Sequence, residues 1–325
     1  MNKKIMNAPK FKVAWWLKNR HLQTLYPVFF SGGKKIRLIR EKVELEDGDF
    51  LSLDWIPNYN PKKPIILFLH GLEGSSKSPY IQRMMKKAVS KNYNAACLNF
   101  RGCDGQVNIK LKSYHAGETS DLNTVVKKIM AKLTAEQKLY IVGYSLGANV
   151  LLKWLAESDL ANSISKAIAV SVPFELAGSA AALGKGFSKI YEWWLLRCLK
   201  QSLKRKKSIL LENNFIYKEK DINNFWEFDN LITAKINGFK DVYDYYEKSS
   251  SRQFIKKITV ETLIVHALDD PFLSQENIPQ KNEINNSVKL EITTQGGHLG
   301  FVEGRIPFLP KYWIDDRVYE FIEND

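Results

Sequence analysis

The stretch Tyr140-Ile141-Val142-Gly143-Tyr144-Ser145-Leu146-Gly147-Ala148-Asn149-Val150-Leu151 decides the fold. Apolar residues run into Gly143-Tyr144-Ser145-Leu146-Gly147, and a helical pattern follows at once through Ala148, Val150, Leu151, Leu152, Trp154 and Leu155. This is G-x-S-x-G between a strand and a helix. A turn this tight forces its central residue into a strained backbone conformation and lifts the side chain clear of the sheet. The two glycines let strand and helix pass close to the turn without a Cβ clash. Ser145 is therefore expected to be exposed, with the Leu146 N–H beside it at the positive end of the helix. A Gly/Ser turn without chemistry has the same five letters, so partners elsewhere in the chain must decide.

Strand and helix patterns alternate on both sides of this turn. Upstream, Lys42–Glu46 and Phe50–Trp55 flank the turn Asp47-Gly48-Asp49 and predict a β-hairpin. The apolar run Pro64–Leu69 ends in His70-Gly71-Leu72-Glu73-Gly74, and a helix is expected from Ser78-Pro79 through Val89. Strand Ala95–Phe100 leads into Arg101-Gly102-Cys103-Asp104-Gly105, and Ser120–Leu133 carries helical spacing. Downstream come the buried strand Lys166–Val172, closed by Pro173, and the strands Val260–His266 and Val288–Thr293. An amphipathic helix from about Asp315 through Ile322 follows. Short apolar strands alternating with helices imply an α/β fold with a mostly parallel central sheet covered on both faces.

That rhythm breaks over 174–251, which is helix-prone and rich in Trp, Tyr, Phe and Lys. The segment reads as a helical lid inserted over the carboxyl edge of the sheet, where ligands bind in open α/β folds. Residues 1–40 are basic and aromatic, are interrupted by Pro27 and Gly32-Gly33, and read as an N-terminal arm packed on one domain spanning 1–325.

The composition is 45% hydrophobic and 26% charged, which excludes disordered and coiled-coil classes. Cys97, Cys103 and Cys198 form an odd, sparse set with no disulfide framework and no zinc spacing. The opening Met1–Pro9 is basic but lacks the apolar core of a signal peptide. No apolar run approaches the roughly 18 residues of a membrane span. A cytoplasmic, soluble protein is expected. The net charge of +13 raises nucleic acid or anionic membrane as partners. No nucleic-acid-binding motif accompanies it, so nucleic acid is not expected, and weak peripheral membrane contact is the remaining option. The local cluster Lys200, Lys204, Arg205, Lys206 and Lys207 reads as a solvated basic face.

Three inferred strand ends present Ser145, an acid at Asp269-Asp270, and His298 in the glycine-flanked turn Gln295-Gly296-Gly297-His298. A serine hydroxyl needs a base at hydrogen-bond distance, and the imidazole needs its second nitrogen held by a carboxylate. Only one of two adjacent aspartates can face the histidine. The turn His70-Gly71-Leu72 can aim the Leu72 N–H at the point faced by the Leu146 N–H, giving a two-donor oxyanion hole. His70, His115 and His266 read as structural, and His21 lies between arm packing and the site rim. Cys97 reads as core, and Cys103 could approach the pocket but has no base of its own. No histidine–carboxylate spacing suits a metal, and the chemistry needs no cofactor.

The chain resembles the α/β-hydrolase superfamily, in its YheT-like esterase branch of bacterial relatives of the eukaryotic α/β-hydrolase-domain proteins. The resemblance rests on Arg20-His21-Leu22-Gln23-Thr24-Leu25, Asp47-Gly48-Asp49-Phe50, His70-Gly71-Leu72-Glu73-Gly74, Asn99-Phe100-Arg101-Gly102-Cys103 and Tyr114-His115-Ala116-Gly117-Glu118-Thr119. Further along it rests on Gly143–Gly147, Asp229-Asn230-Leu231-Ile232-Thr233-Ala234, Asp269-Asp270-Pro271-Phe272 and Gly296-Gly297-His298-Leu299-Gly300-Phe301. Ala148 stands where a third glycine is common. The resemblance implies an α/β-hydrolase fold, hydrolysis of carboxylic esters, and a triad of Ser145, Asp270 and His298; the substrates expected are small-molecule esters with short- to medium-chain acyl groups or lipid-like esters. Within the aspartate pair it favours Asp270, which directly precedes Pro271. Two other readings stand beside it: an acyltransferase that passes the acyl group to an alcohol, and a non-catalytic basic protein binding lipid or nucleic acid. Oligomeric state is open.

Overall fold

A computed structural model describes residues 11–30 and 35–324. The basic opening stretch Met1–Pro9 and the Gly32-Gly33 interruption lie outside them. The chain runs through α1 (Arg20–Phe30), β1 (Ile39–Glu44), β2 (Phe50–Trp55), β3 (Ile65–Leu69), α2 (Pro79–Ser90), β4 (Asn94–Asn99), α3 (Ser120–Met130), β5 (Leu139–Tyr144), α4 (Leu146–Glu157) and β6 (Lys166–Val170). Helices α5 (Leu176–Leu183), α6 (Lys189–Arg205), α7 (Lys207–Glu212), α8 (Phe225–Phe228), α9 (Ala234–Ile236) and α10 (Val242–Ser249) come next. The strands β7 (Thr262–Ala267), β8 (Val288–Thr293), β9 (Val302–Glu303) and β10 (Lys311–Tyr312) follow, and α11 (Trp313–Glu323) comes last.

Eight strands form one sheet in the order β1-β2-β4-β3-β5-β6-β7-β8. β1 and β2 pair antiparallel, β2 runs antiparallel to β4, and the remaining neighbours are parallel. Alternation along each strand sets the layers. Ile65, Leu67 and Leu69 of β3 join the core beneath α3 and α4, with Leu122, Val126, Leu151 and Trp154. Ile66 and Phe68 face the opposite way, against Met84 and Met85 of α2 and Val318 and Tyr319 of α11. Each such fully buried side chain contributes about 1.5–3 kcal/mol, which is why the central strands are apolar on both faces. The helices after β6 hold a core of their own, including Leu196, Leu199, Leu203, Phe225, Phe228 and Ile232.

Two expectations are corrected. Pro27 does not interrupt the first helix: α1 passes through it, with Gln23, Thr24 and Tyr26 buried against the body of the protein. Tertiary packing of one face outweighs the cost of the missing backbone donor. The basic cluster is not a uniformly solvated face either. Lys206 is buried, and its Nζ donates to Leu111 O, Lys112 O and Ser113 Oγ at 2.9, 2.6 and 3.1 Å. Burial brings its ammonium down to about 8, against the opposing pull of Asp49. Lys200 donates to Ile222 O, and Lys204 pairs with Glu219. Among the described residues no helix is long and apolar enough to cross a membrane.

Candidate active site

Four parallel strands deliver the chemistry-bearing residues to one edge of the sheet. His70 follows β3, Ser145 follows β5, Asp269 and Asp270 follow β7, and the His298 loop follows β8. Ser145 sits between β5 and α4 at φ +51°, in the left-handed region that non-glycine residues rarely occupy. Its own N–H is satisfied by Val170 O at 2.9 Å, which holds the strained corner against β6. A Cβ on Gly147 would lie 2.5 Å from His70 O, and one on Gly143 would lie 2.6 Å from Gly147 O. Both glycines are therefore required by close backbone approach, as the motif predicts.

Ser145 Oγ lies 3.0 Å from His298 Nε2, and His298 Nδ1 lies 2.8 Å from Asp270 Oδ2. Asp270 is almost fully buried, and its other oxygen accepts the Phe272 N–H at 2.8 Å. That acceptance fixes the carboxylate plane. Asp269 does not reach the imidazole. Its Oδ1 accepts the Gly297 N–H at 2.9 Å, so it braces the loop that carries His298. Burial pushes the Asp269 carboxyl up, partly offset by that backbone hydrogen bond. The ring of Phe272 stacks on His298 with centroids 4.1 Å apart.

The turn after β3 is pinned from both sides. Gly71 N–H donates to Tyr80 Oη at 2.8 Å, and Glu73 N–H donates to Tyr114 Oη at 3.0 Å. Glu73 adopts φ +52°, and its carboxylate accepts from Tyr114 Oη at 2.7 Å. Leu72 lies between those anchored amides and lines the same cavity as Ser145. Leu146 opens α4, where a helix leaves its first N–H groups without intrahelical acceptors. His70 lies beneath the turn, accepting the Phe100 N–H at Nε2 (3.1 Å), so its Nδ1–H donates to Gly71 O (2.7 Å). Burial holds this imidazole down to about 4, a neutral structural histidine.

Further residues at the site carry no motif-level signal. The His298 N–H donates to Thr24 Oγ1 at 2.9 Å, and Thr24 in turn donates to Arg20 O at 2.8 Å. Gln23 accepts the Val302 N–H at 2.8 Å and donates to Leu17 O and Val302 O. A Cβ on Gly297 would lie 2.6 Å from Arg20 O, so the histidine loop is pressed directly onto α1. Arg20-His21-Leu22-Gln23-Thr24-Leu25 stands out in the sequence only as a segment of a resemblance, and nothing local in it points at His298. His21 bridges outward, with Nδ1 3.2 Å from Tyr191 Oη on α6.

A cavity of about 790 Å³ opens at Ser145 and His298. Apolar residues dominate its walls, including Leu176, Leu183, Leu199, Phe228, Ile232 and Phe272. Asp229 also lines it from a π-helical segment, Asp229–Thr233, with burial pushing its carboxyl up to about 6 against hydrogen bonds from Thr233 and Tyr246. Burial raises the Cys103 thiol well above its usual range, which disfavours a thiolate there. Cys97 is buried in the sheet. Among the described residues no group of three or more His, Cys, Asp or Glu could hold a metal ion.

Residues 64–305 match a family model described as the alpha/beta hydrolase fold. The YheT esterase candidate of Escherichia coli (strain K12) is 35% identical over 309 residues, covering 94% of this chain and 90% of its own length. Phospholipase ABHD3 of Bos taurus is 28% identical, with 97% and 78% covered. Among solved structures, the Pyrococcus furiosus esterase Pf2001 superposes with a TM-score of 0.57 at 19% identity, over 89% of this chain and 92% of that one.

Proposed function

The chain belongs to the α/β-hydrolase family, in its YheT-like branch, and from that premise we propose that it is a serine carboxylesterase acting on esters with an extended apolar acyl group. The observation that carries the reading is the continuous relay Asp270–His298–Ser145, at 2.8 and 3.0 Å, opening into an apolar cavity. In this mechanism His298 Nε2 takes the Ser145 proton as Oγ attacks the ester carbonyl, and Asp270 stabilises the imidazolium that forms. The carbonyl oxygen becomes an oxyanion held by the N–H groups of Leu72 and Leu146. His298 then gives its proton to the departing alkoxide, and the alcohol leaves an acyl-enzyme. Water, deprotonated by His298, attacks that ester carbonyl, and the second tetrahedral intermediate releases the carboxylic acid with the proton returned to Oγ.

The strain at Ser145 fits this role, because a residue held at φ +51° persists only where the surrounding structure over-determines it. The helices from α5 to α10 act as the lid in this reading, since they contribute most of the apolar wall and would exclude water from the acyl group. The names of the relatives, an esterase candidate and a phospholipase, support ester or lipid-like substrates.

A fluorophosphonate probe tests the proposal directly. The wild-type protein is expected to be labelled, Ser145→Ala is expected to show no labelling, and p-nitrophenyl esters should be turned over in proportion. Absence of labelling on folded wild-type protein would refute the esterase reading.

A further inference from the structure

We propose that the rim of the cavity formed by α1 and the start of α6 is a docking surface for an anionic lipid bilayer. Six apolar residues belong both to the cavity wall and to the outer surface: Val28 and Phe29 on α1, and Phe187, Ile190, Trp193 and Trp194 across the cavity mouth. They are between 48% and 71% exposed, which is far from the normal state of aromatic side chains in a folded protein.

The rim is one surface rather than two. The His21 ring of α1 lies 4.3 Å from the Phe187 ring, and its Nδ1 meets Tyr191 Oη. On α6 the exposed Ile190, Trp193, Trp194 and Arg197 recur at helical spacing on a single face, while Leu196, Leu199 and Leu203 turn into the lid core.

Charge identifies the occupant. Residues 18–30 contain no acid, and the only acid between 185 and 205 is Glu192, which is buried and accepts the Phe225 N–H. Arg20 on α1 and Lys189 and Arg197 on α6 are exposed, as are Lys18 and Lys185 in the segments just before those helices, and Arg197 sits 5.7 Å from the Trp193 ring centroid. A surface with Trp and Phe at its centre, and with exposed cations but no exposed acid on the two segments that form it, matches a membrane interface carrying negative headgroups. A second copy of a chain with net charge +13 would set like charges against each other across the same face. The bilayer would also supply an amphiphilic ester at the cavity mouth, a consequence that rests on the esterase reading above.

Co-sedimentation with vesicles tests the docking surface. Full-length wild type and Ser145→Ala are each mixed with equimolar phosphatidylcholine–phosphatidylglycerol vesicles, or with pure phosphatidylcholine, at about 0.1 M salt, where charges act over about 10 Å. Both proteins are expected to partition onto the anionic vesicles, more weakly as salt rises, and at least about tenfold less onto phosphatidylcholine. Phe29→Asp/Trp194→Asp and Lys189→Glu/Arg197→Glu are each expected to lower partitioning by about tenfold or more. All four side chains are solvent-exposed, and thermal melting verifies that the fold is kept. If one pair unfolds, the other decides. No partitioning by the wild type, partitioning unchanged in a folded double variant, or a stable dimer by light scattering that Phe29→Asp/Trp194→Asp abolishes would overturn the proposal. Vesicle binding without fluorophosphonate labelling would sink the esterase reading and keep the docking surface, and the reverse pattern would sink docking alone.

Discussion

Replacing Thr24 by valine removes the hydrogen bond accepted from the His298 N–H and the one donated to Arg20 O, with very little change in volume. Thr24 Oγ1 accepts the His298 N–H at 2.9 Å in a site where His298 is only 7% exposed, so the amide loses its partner with no ready access to water. A buried donor left unsatisfied costs about 1–3 kcal/mol. The chain can meet that cost in two ways. If the loop stays in place, the cost appears as lost stability. If the loop moves to re-satisfy the amide, the imbalance appears at Nε2, which must stay 3.0 Å from Ser145 Oγ for proton transfer. At about 1.4 kcal/mol per factor of ten, the second case lowers kcat by roughly 5- to 150-fold. Gly297 lies against Arg20 O and Thr24 at this contact, so any shift there bears directly on the loop that carries His298. We therefore expect Thr24→Val to lower kcat for a p-nitrophenyl ester, and the rate of fluorophosphonate labelling with it, while Thr24→Ser restores both. A Thr24→Val protein that melts earlier yet keeps full kcat and labelling rate would show that Thr24 contributes stability alone.

Asp270→Asn is expected to lower kcat by roughly four orders of magnitude, since an amide no longer fixes the tautomer or stabilises the imidazolium. Asp269→Asn, which keeps an oxygen able to accept the Gly297 N–H, should stay within about tenfold of wild type, and a larger loss than Asp270→Asn would exchange the two roles. Stability should also fall in mild acid for a reason separate from catalysis. His70 and His266 are held by burial at about 4, below their unfolded value near 6.5, so the unfolded chain binds more protons between those limits. Stability from these rings is then fully present above about pH 6.5 and declines by about 1.4 kcal/mol per pH unit for each histidine as pH falls towards about 4, partly offset below about pH 6 by the buried carboxyl of Asp229, which the folded chain protonates first. Urea denaturation across that window measures the slope, and an unfolding free energy that stays flat would contradict the neutral, buried state of both rings.

Much of the fold is legible locally. The strand Ile65–Leu69 is apolar at every position because both of its faces are covered, and that continuous pattern distinguishes it from the alternating hairpin before it. The tight corner at Ser145 is legible for a steric reason, because Gly143 and Gly147 stand where backbone atoms approach within 2.6 Å of any added Cβ. Lys206 was not legible. Its position among four other basic residues suggests solvent, but the loop 111–113 supplies two carbonyls and a hydroxyl that exist as a site only when folded. The path of α1 through Pro27 was hidden in the same way, since local propensity argues against it and the packing of Gln23 and Thr24 decides.

The sequence by itself determined the strand–helix order, the placing of Ser145, the Asp269-Asp270 pair and His298 at the ends of apolar strands, and the glycines that permit the turn between β5 and α4. These depend on residues within a few positions of one another or on the period of apolar side chains. Only the tertiary structure decided that Asp270 rather than Asp269 faces His298, that Thr24 holds the histidine backbone from 274 residues away, and that α1 and α6 share one basic apolar rim. Hydrogen bonds and surfaces of that kind join segments with no sequence proximity, and their geometry exists only once the sheet has brought those segments together.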